Sequence, residues 1–253
     1  MHASGERTSP DERRRTGVRV LSRFHAAPAE RLHAVLMIAL TFTTGINDAV
    51  GYLGLDKVFT GNMTGNVVIL GMGVAGGDGL PVLGPALALA GFMAGAGVAG
   101  LVLRPATRGW SARTTVLLAC VAAVMVASAA ILFTVGDSPT RGWMITVTTS
   151  AATAMGVQAA TARVVAVKDV STVVVTSTIT GLAADVFGPG PGLGRDAARR
   201  FAAIAAILVG AAVGVLLMNV HLGVGLLVAG VIIAVVTVVG ALHRPSCQTP
   251  SLQ

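Results

Sequence analysis

Uncharged apolar runs recur along this chain at a length that matches a bilayer. A helix needs roughly 20 apolar residues to cross the hydrocarbon core. Residues 32–47 carry no acidic or basic charge, and the run continues past Asp48 to Leu55. Further runs cover 79–103, 114–136, 142–162, 201–220 and 222–242. These six stretches predict six long membrane spans in an all-α, polytopic helical membrane protein.

Two other stretches break the pattern. Residues 58–77 hold six glycines together with Thr60, Asn62, Thr64 and Asn66. Residues 170–184 hold Ser171, Thr172, Thr176, Ser177, Thr178 and Thr180. Both predict short polar helical segments, either crossing or re-entrant. Irregular backbone at membrane depth is tolerated only where protein or a water-filled cavity covers it. Residues 188–194 read GPGPGLG, a flexible turn, because glycine and proline break helices.

Composition strengthens this reading. Of 253 residues, 54% are hydrophobic and only 11% charged. Soluble domains carry about 25% charged residues. The deficit argues against a soluble enzyme, a disordered chain and a nucleic-acid-binding domain. The net charge is +7, yet seven arginines lie before residue 32 and the other cations fall in the gaps between apolar runs. That is the pattern of charged flanks anchoring spans in the cytoplasm. Residues 1–31 are expected to be a disordered, basic, cytoplasmic tail that attracts anionic lipid headgroups. They contain no apolar core of a signal peptide. Two membrane halves, 32–136 and 137–242, then precede a polar tail at 243–253. Sixteen arginines against two lysines, with abundant Ala, Gly and Val, suggest a GC-rich bacterial genome.

The two halves are weakly similar. Thr60, Thr64 and Gly65 match Thr176, Thr180 and Gly181 at equal spacing. AGFMAGAGVAGL (90–101) and AAILVGAAVGVL (205–216) share five of twelve positions. Gly45 and Gly156 correspond if about five residues are inserted. Charge then bears on topology. Eight crossings would put 12 cations inside and 6 outside, whereas six crossings with two re-entrant segments put 16 inside and leave Lys57 and Arg141 outside. The positive-inside rule favours the second arrangement, with a cytoplasmic N-terminus and inverted halves.

The motifs carry a family resemblance. GINDAVGYLGL (45–55) followed by FTGNMTGNVVILG (59–71) resembles the signature of the YoaK family of bacterial multi-pass membrane proteins. AMGVQAATARVV (154–165) and TSTITGLAADV (176–186) resemble its second signature. The resemblance covers about residues 32–242 and implies an inner-membrane protein with about six spans. It implies no activity, the family being a domain of unknown function. Ala159 stands where the pattern more often has Asn after the Gln, so a carboxamide pair is missing there.

Asp48 is the sharpest candidate for function. A charge at the centre of a span costs about 2.5–3.5 kcal/mol on insertion scales, and such residues are commonly functional. The plainer reading places it near a helix end, in reach of interfacial water. Asn47, Thr60, Asn62, Thr64 and Asn66 could join it in binding or coupling to a solute. Thr176 and Thr180 would be their counterparts, unless their hydroxyls merely bond back to helix carbonyls. Gln158 needs a partner, structural or solute. Gly61 and Gly65, Gly91 and Gly95, and Gly210 and Gly214 are expected to pack helices closely. GxGxxG at 95–100 lies inside an apolar run, where a dinucleotide site has no strand to precede it. Trp110, Trp143 and Tyr52 fall near span ends, as in interfacial aromatic belts.

No metal-ligand spacing, cofactor motif or nucleophile–base set is visible, so neither an enzyme, a cofactor nor a nucleic-acid partner is expected. The leading function is a small-solute or ion permease. The alternative is a non-transporting assembly or sensory partner in the membrane. Small-residue packing is compatible with a monomer or a homo-oligomer.

Overall fold

The computed structural model describes residues 10–104, 109–165, 175–187 and 195–243. The GPGPGLG stretch, Lys168 and residues 244–253 lie outside them. Eight helices follow one another: α1 (Pro10–Gly54), α2 (Met63–Val74), α3 (Leu83–Leu103), α4 (Ala112–Val135), α5 (Arg141–Val165), α6 (Val175–Phe187), α7 (Arg195–Met218) and α8 (Leu222–Leu242). Five segments are long and apolar enough to span a bilayer: Arg31–Gly54, Leu83–Leu103, Ala112–Val135, Ala197–Met218 and Leu222–Leu242.

The run at 142–162 forms α5, which has the length of a span, about 37 Å at 1.5 Å per residue. It lacks the apolarity, because Thr148, Gln158 and Thr161 are buried in the bundle and Thr146, Thr149, Ser150 and Thr153 add further hydroxyls. A second difference lies at the N-terminus. α1 extends back to Pro10, so residues 10–31 are helical where a disordered tail is expected. Arg, Ala, Leu and Glu are good helix formers, and the span that follows removes the cost of nucleation.

The ends of the helices sort into two groups. At one end, Met218 and Leu222 pack on Gly54, Val58 on Gly84, and Asp137 accepts from the Leu222 amide at 2.9 Å. Arg141 lies 3.9 Å from Asp56 at the same end. At the other end, Gly240 lies against Trp110, whose ring stacks on His33 with centroids 6.1 Å apart. Trp110 is therefore a buried plug between helix ends rather than part of an interfacial belt, and its Nε1 donates to Thr115 Oγ1 at 3.0 Å. Trp143 is exposed near the start of α5, as a belt residue would be.

Local chemistry fixes where elements begin. Ser111 and Thr114 form a reciprocal capping box at the start of α4. His221 caps α8 by accepting from the Gly223 amide at 2.9 Å. Gly136, with φ +84°, ends α4 in a conformation that favours glycine.

α1 packs on α7 and α8, α3 on α5, and α4 on α8 and α5. Leu40, Ile46, Val50, Leu118, Met125, Leu132, Met155, Leu226 and Ile233 form the central apolar cluster. Outside it, Met93, Val98, Leu101, Val116, Phe201, Leu208, Leu216 and Val235 are exposed. An apolar exterior around a partly polar interior suits lipid, where water cannot serve the backbone.

Four glycines set the closest crossings. A Cβ at Gly45 would strike the Ile207 carbonyl, and one at Gly210 the Phe42 carbonyl, both between α1 and α7. A Cβ at Gly156 would strike the Phe92 carbonyl, and one at Gly95 the Thr153 carbonyl, both between α3 and α5. Gly91 and Gly214 extend the same two contacts. By contrast, Gly97 and Gly100 of the GxGxxG run face open space. Gly45→Ala and Gly156→Ala should each lower stability by about 1–3 kcal/mol through overpacking. Gly97→Ala and Gly100→Ala should be neutral or slightly stabilising. Unfolding temperatures in detergent check this, and equal effects at all four sites would show that close approach is not what the glycines provide.

Candidate functional site

α1 ends at Gly54 and the chain reverses through Asp56 and Lys57, both left-handed at φ 61° and 56°. Residues 58–62 then run back beside α1. A Cβ at Gly51 would lie 2.5 Å from the Val58 carbonyl, which shows how closely the returning strand follows the helix. At Asn62 the chain turns into α2, with the Asn62 side chain accepting from the Gly65 amide at 3.2 Å. α2 climbs to Gly73, which sits against Leu80, Pro81 and Val82 at the start of α3. Lys57 Nζ also donates to the Gly79 carbonyl at 3.3 Å. The segment therefore enters and leaves at the same end of the bundle. Residues 58–74 thus form a returning segment between α1 and α3.

Asp48 is what the returning strand folds onto. Its Oδ1 accepts from the backbone amides of Thr60 (3.0 Å), Gly61 (2.7 Å) and Asn62 (3.4 Å), and from Thr60 Oγ1 at 3.3 Å. Three successive N–H groups thus converge on one buried carboxylate oxygen. Gly61 keeps the turn close to the helices, since a Cβ would come 2.8 Å from Thr44 Cγ2 and 3.3 Å from Met155 Cε. Gly61 lies before the helix, so Gly61 and Gly65 do not share a helical face. Gly65 instead makes room for the Phe59 ring, which a Cβ there would meet at 2.7 Å.

The other candidates divide into two groups. Asn66 is structural: its Oδ1 accepts from the Phe59 amide at 2.9 Å and its Nδ2 donates to the Phe59 carbonyl at 2.6 Å. Thr60 is fully buried beside Asp48. Asn47 and Gln158 lie on a buried seam between α1 and α5. Asn47 Nδ2 donates to Met155 Sδ at 3.4 Å, and Gln158 Nε2 to the Leu40 carbonyl at 3.3 Å and Thr44 Oγ1 at 3.5 Å. Asn47 Oδ1 and Gln158 Oε1 have no partner. Thr180 is exposed and its hydroxyl bonds back to the Thr176 carbonyl at 3.0 Å, the plainer of its two readings.

Asp48, Asn62, Thr64 and Thr176 instead line one cavity of about 740 Å³, which brings α1, the returning segment and α6 together. Thr44, Tyr52, Phe59, Val68, Ile69 and Ile207 also line it. Tyr52 and Phe59 stack with ring centroids 4.7 Å apart. Sequence reasoning missed Thr44 and gave Tyr52 to a belt. Their spacing held the signal: both lie four residues from Asp48, one helical turn to either side.

An apolar exterior, buried polar seams and a chain break folded onto an intramembrane acid define a polytopic helical membrane protein. The chain belongs to the family described as "Protein of unknown function (DUF1275)", whose model matches residues 36–239. It is 32% identical over 154 residues to the UPF0700 transmembrane protein YoaK of Bacillus subtilis (strain 168), covering 60% of this chain and 67% of that protein. The resemblance carried by the two signatures is borne out. No solved structure matches the chain at a significant level.

Asp48→Ala would leave three backbone donors facing a hole. Unpaired buried donors cost about 1–3 kcal/mol each, so this variant should lose about 3 kcal/mol or more. Asp48→Asn keeps an acceptor for the same amides and should lose less than half as much. Thermal unfolding of the two variants compares them, and equal losses would mean that charge, not hydrogen bonding, holds the segment.

Proposed function

We propose that this protein is a small-solute permease of the bacterial inner membrane, built from two inverted halves. The observation that carries the proposal is the cavity in which the re-entrant segment and α6 meet around Asp48. In transporters, broken helices meeting between related halves are where solutes bind.

The inverted arrangement rests on the two glycine crossings. Pairing Gly45 with Gly156 and Gly95 with Gly210 converts the α1–α7 crossing into the α5–α3 crossing. Under that pairing Ile207 becomes Phe92 and Phe42 becomes Thr153, the same carbonyls that the glycines meet. It also exchanges Asn47 with Gln158 and Thr44 with Met155, so that the Asn47–Met155 bond maps onto the Gln158–Thr44 bond, while the Gln158–Leu40 bond has no counterpart. In this reading α5 is a sixth crossing, shielded from lipid by its neighbours, and α2 and α6 re-enter. Arg31, Arg104, Arg113 and Arg163 then mark the cytoplasmic end, and Lys57 and Arg141 the opposite one. Asp48 would couple solute to protons, since one carboxylate cannot hold both at once.

The sidedness of Asp78 tests the topology. With Cys120 and Cys247 replaced and a cysteine introduced by Asp78→Cys, an impermeant maleimide should label intact cells. Labelling only after permeabilisation would mean that residues 58–77 cross the membrane. Asp48→Asn should abolish proton-linked solute flux in proteoliposomes while the protein stays folded. Undiminished flux in that variant would remove Asp48 from the mechanism.

A further inference from the structure

We propose that the Asp48 cavity binds a small organic ammonium ion. The proposal names a solute class for the permease reading and depends on that reading for transport alone.

Four features of the cavity point to this ligand. First, Asp48 is the only charged side chain among its described lining residues, so a cation is the electrostatic complement. Second, four backbone donors of the returning segment are already spent. The amides of Thr60, Gly61 and Asn62 are held by Asp48 Oδ1, and that of Gly65 by Asn62. All four bonds of Asp48 converge on Oδ1, and Oδ2 takes part in none of them. The turn therefore offers the cavity a carboxylate oxygen rather than these four N–H groups.

Third, one wall is the stacked pair Tyr52 and Phe59. Aromatic rings attract cations through their quadrupole, most strongly where water is excluded. Fourth, Val68, Ile69 and Ile207 complete a largely apolar lining. A bare metal ion wants six or more oxygens at short range. A cavity of about 740 Å³ with apolar and aromatic walls fits a cation that carries its own hydrocarbon, and falls within the range of small-molecule sites. Thr44, Thr64 and Thr176 add hydroxyls for a polar substituent.

The experiment uses three probes of one shape: choline, the neutral 3,3-dimethylbutan-1-ol and the anionic 3,3-dimethylbutanoate. Binding to the purified full chain in detergent is followed by thermal unfolding, with sodium chloride as the ionic control. Choline should bind at least about tenfold more tightly than the alcohol, a difference of about 1.4 kcal/mol. The carboxylate should not bind. Asp48→Asn should erase the advantage of choline over the alcohol, and Tyr52→Leu should reduce it. The wild-type comparison stands by itself should Asp48→Asn fail to fold.

Equal binding of choline and the alcohol overturns the proposal, as does preferred binding of the carboxylate or no binding of choline at all. A choline preference that survives in folded Asp48→Asn overturns it too. Proteoliposome uptake separates the two readings. Choline binding without uptake leaves the site assignment standing and removes the permease. Uptake of another solute by protein that ignores choline does the reverse.

Discussion

The site depends on one carboxylate oxygen. A chain that turns back beside a buried helix exposes N–H groups that the helix cannot satisfy, and each is costly when buried without a partner. Asp48 Oδ1 gathers three of them in succession, from Thr60, Gly61 and Asn62. The dependence is mutual. A buried carboxylate is tolerated only when hydrogen-bonded or paired, and the returning strand supplies those bonds. Neither the acid nor the break is stable alone, which explains why they occur together in the GINDAVGYLGL and TGNMTGN stretches. Asn66 continues the same logic, satisfying both backbone groups of Phe59. The Asp56–Lys57 reversal then needs only to aim the strand along α1, where Gly51 and Gly84 make room for Val58.

Much of the fold was legible because lipid imposes a simple rule. Five of the six long apolar runs became helices fit to span a bilayer, since length and apolarity are visible residue by residue. The run at 142–162 shows the limit of the rule. α5 is packed by α3, α4 and α1, so Thr148, Gln158 and Thr161 face protein and its composition no longer reports its surroundings. Trp110 fails for a related reason. Its position near a span end was visible, but the glycine opposite it, Gly240, lies 130 residues away and receives the ring. Helicity upstream of Arg31 was hidden by the density of arginine, which reads as solvation although arginine is a good helix former.

The site was legible as a set of residue types but not as a division of labour. Asp48, Asn62, Thr64 and Thr176 share a cavity, whereas Asn66 and Thr60 tie down the returning segment and Thr180 bonds back to its own helix. All of these are small polar residues among glycines, and one-dimensional spacing cannot say which lone pair meets which amide. The helical neighbours of Asp48 were within reach of sequence reasoning. Thr44 and Tyr52 lie one turn to either side, and a residue on an inward face shares that face with positions four away.

The proposed relation between halves gains its meaning from where it breaks. Under the pairing that matches the glycine crossings, Asn47 answers to Gln158 and each carboxamide donates across the seam. The next position pairs Asp48 with Ala159, and an acid answers to a methyl group. Residues that make helices meet are duplicated, because both crossings face the same packing problem. The one that holds the strand and charges the cavity is not. Packing alone would favour keeping the pair alike, since an intramembrane carboxylate costs more than an alanine. A cost borne at Asp48 is therefore tied to what Asp48 does. In this chain that is the folding of residues 58–62 onto α1 and the placing of a negative charge beside Tyr52 and Phe59.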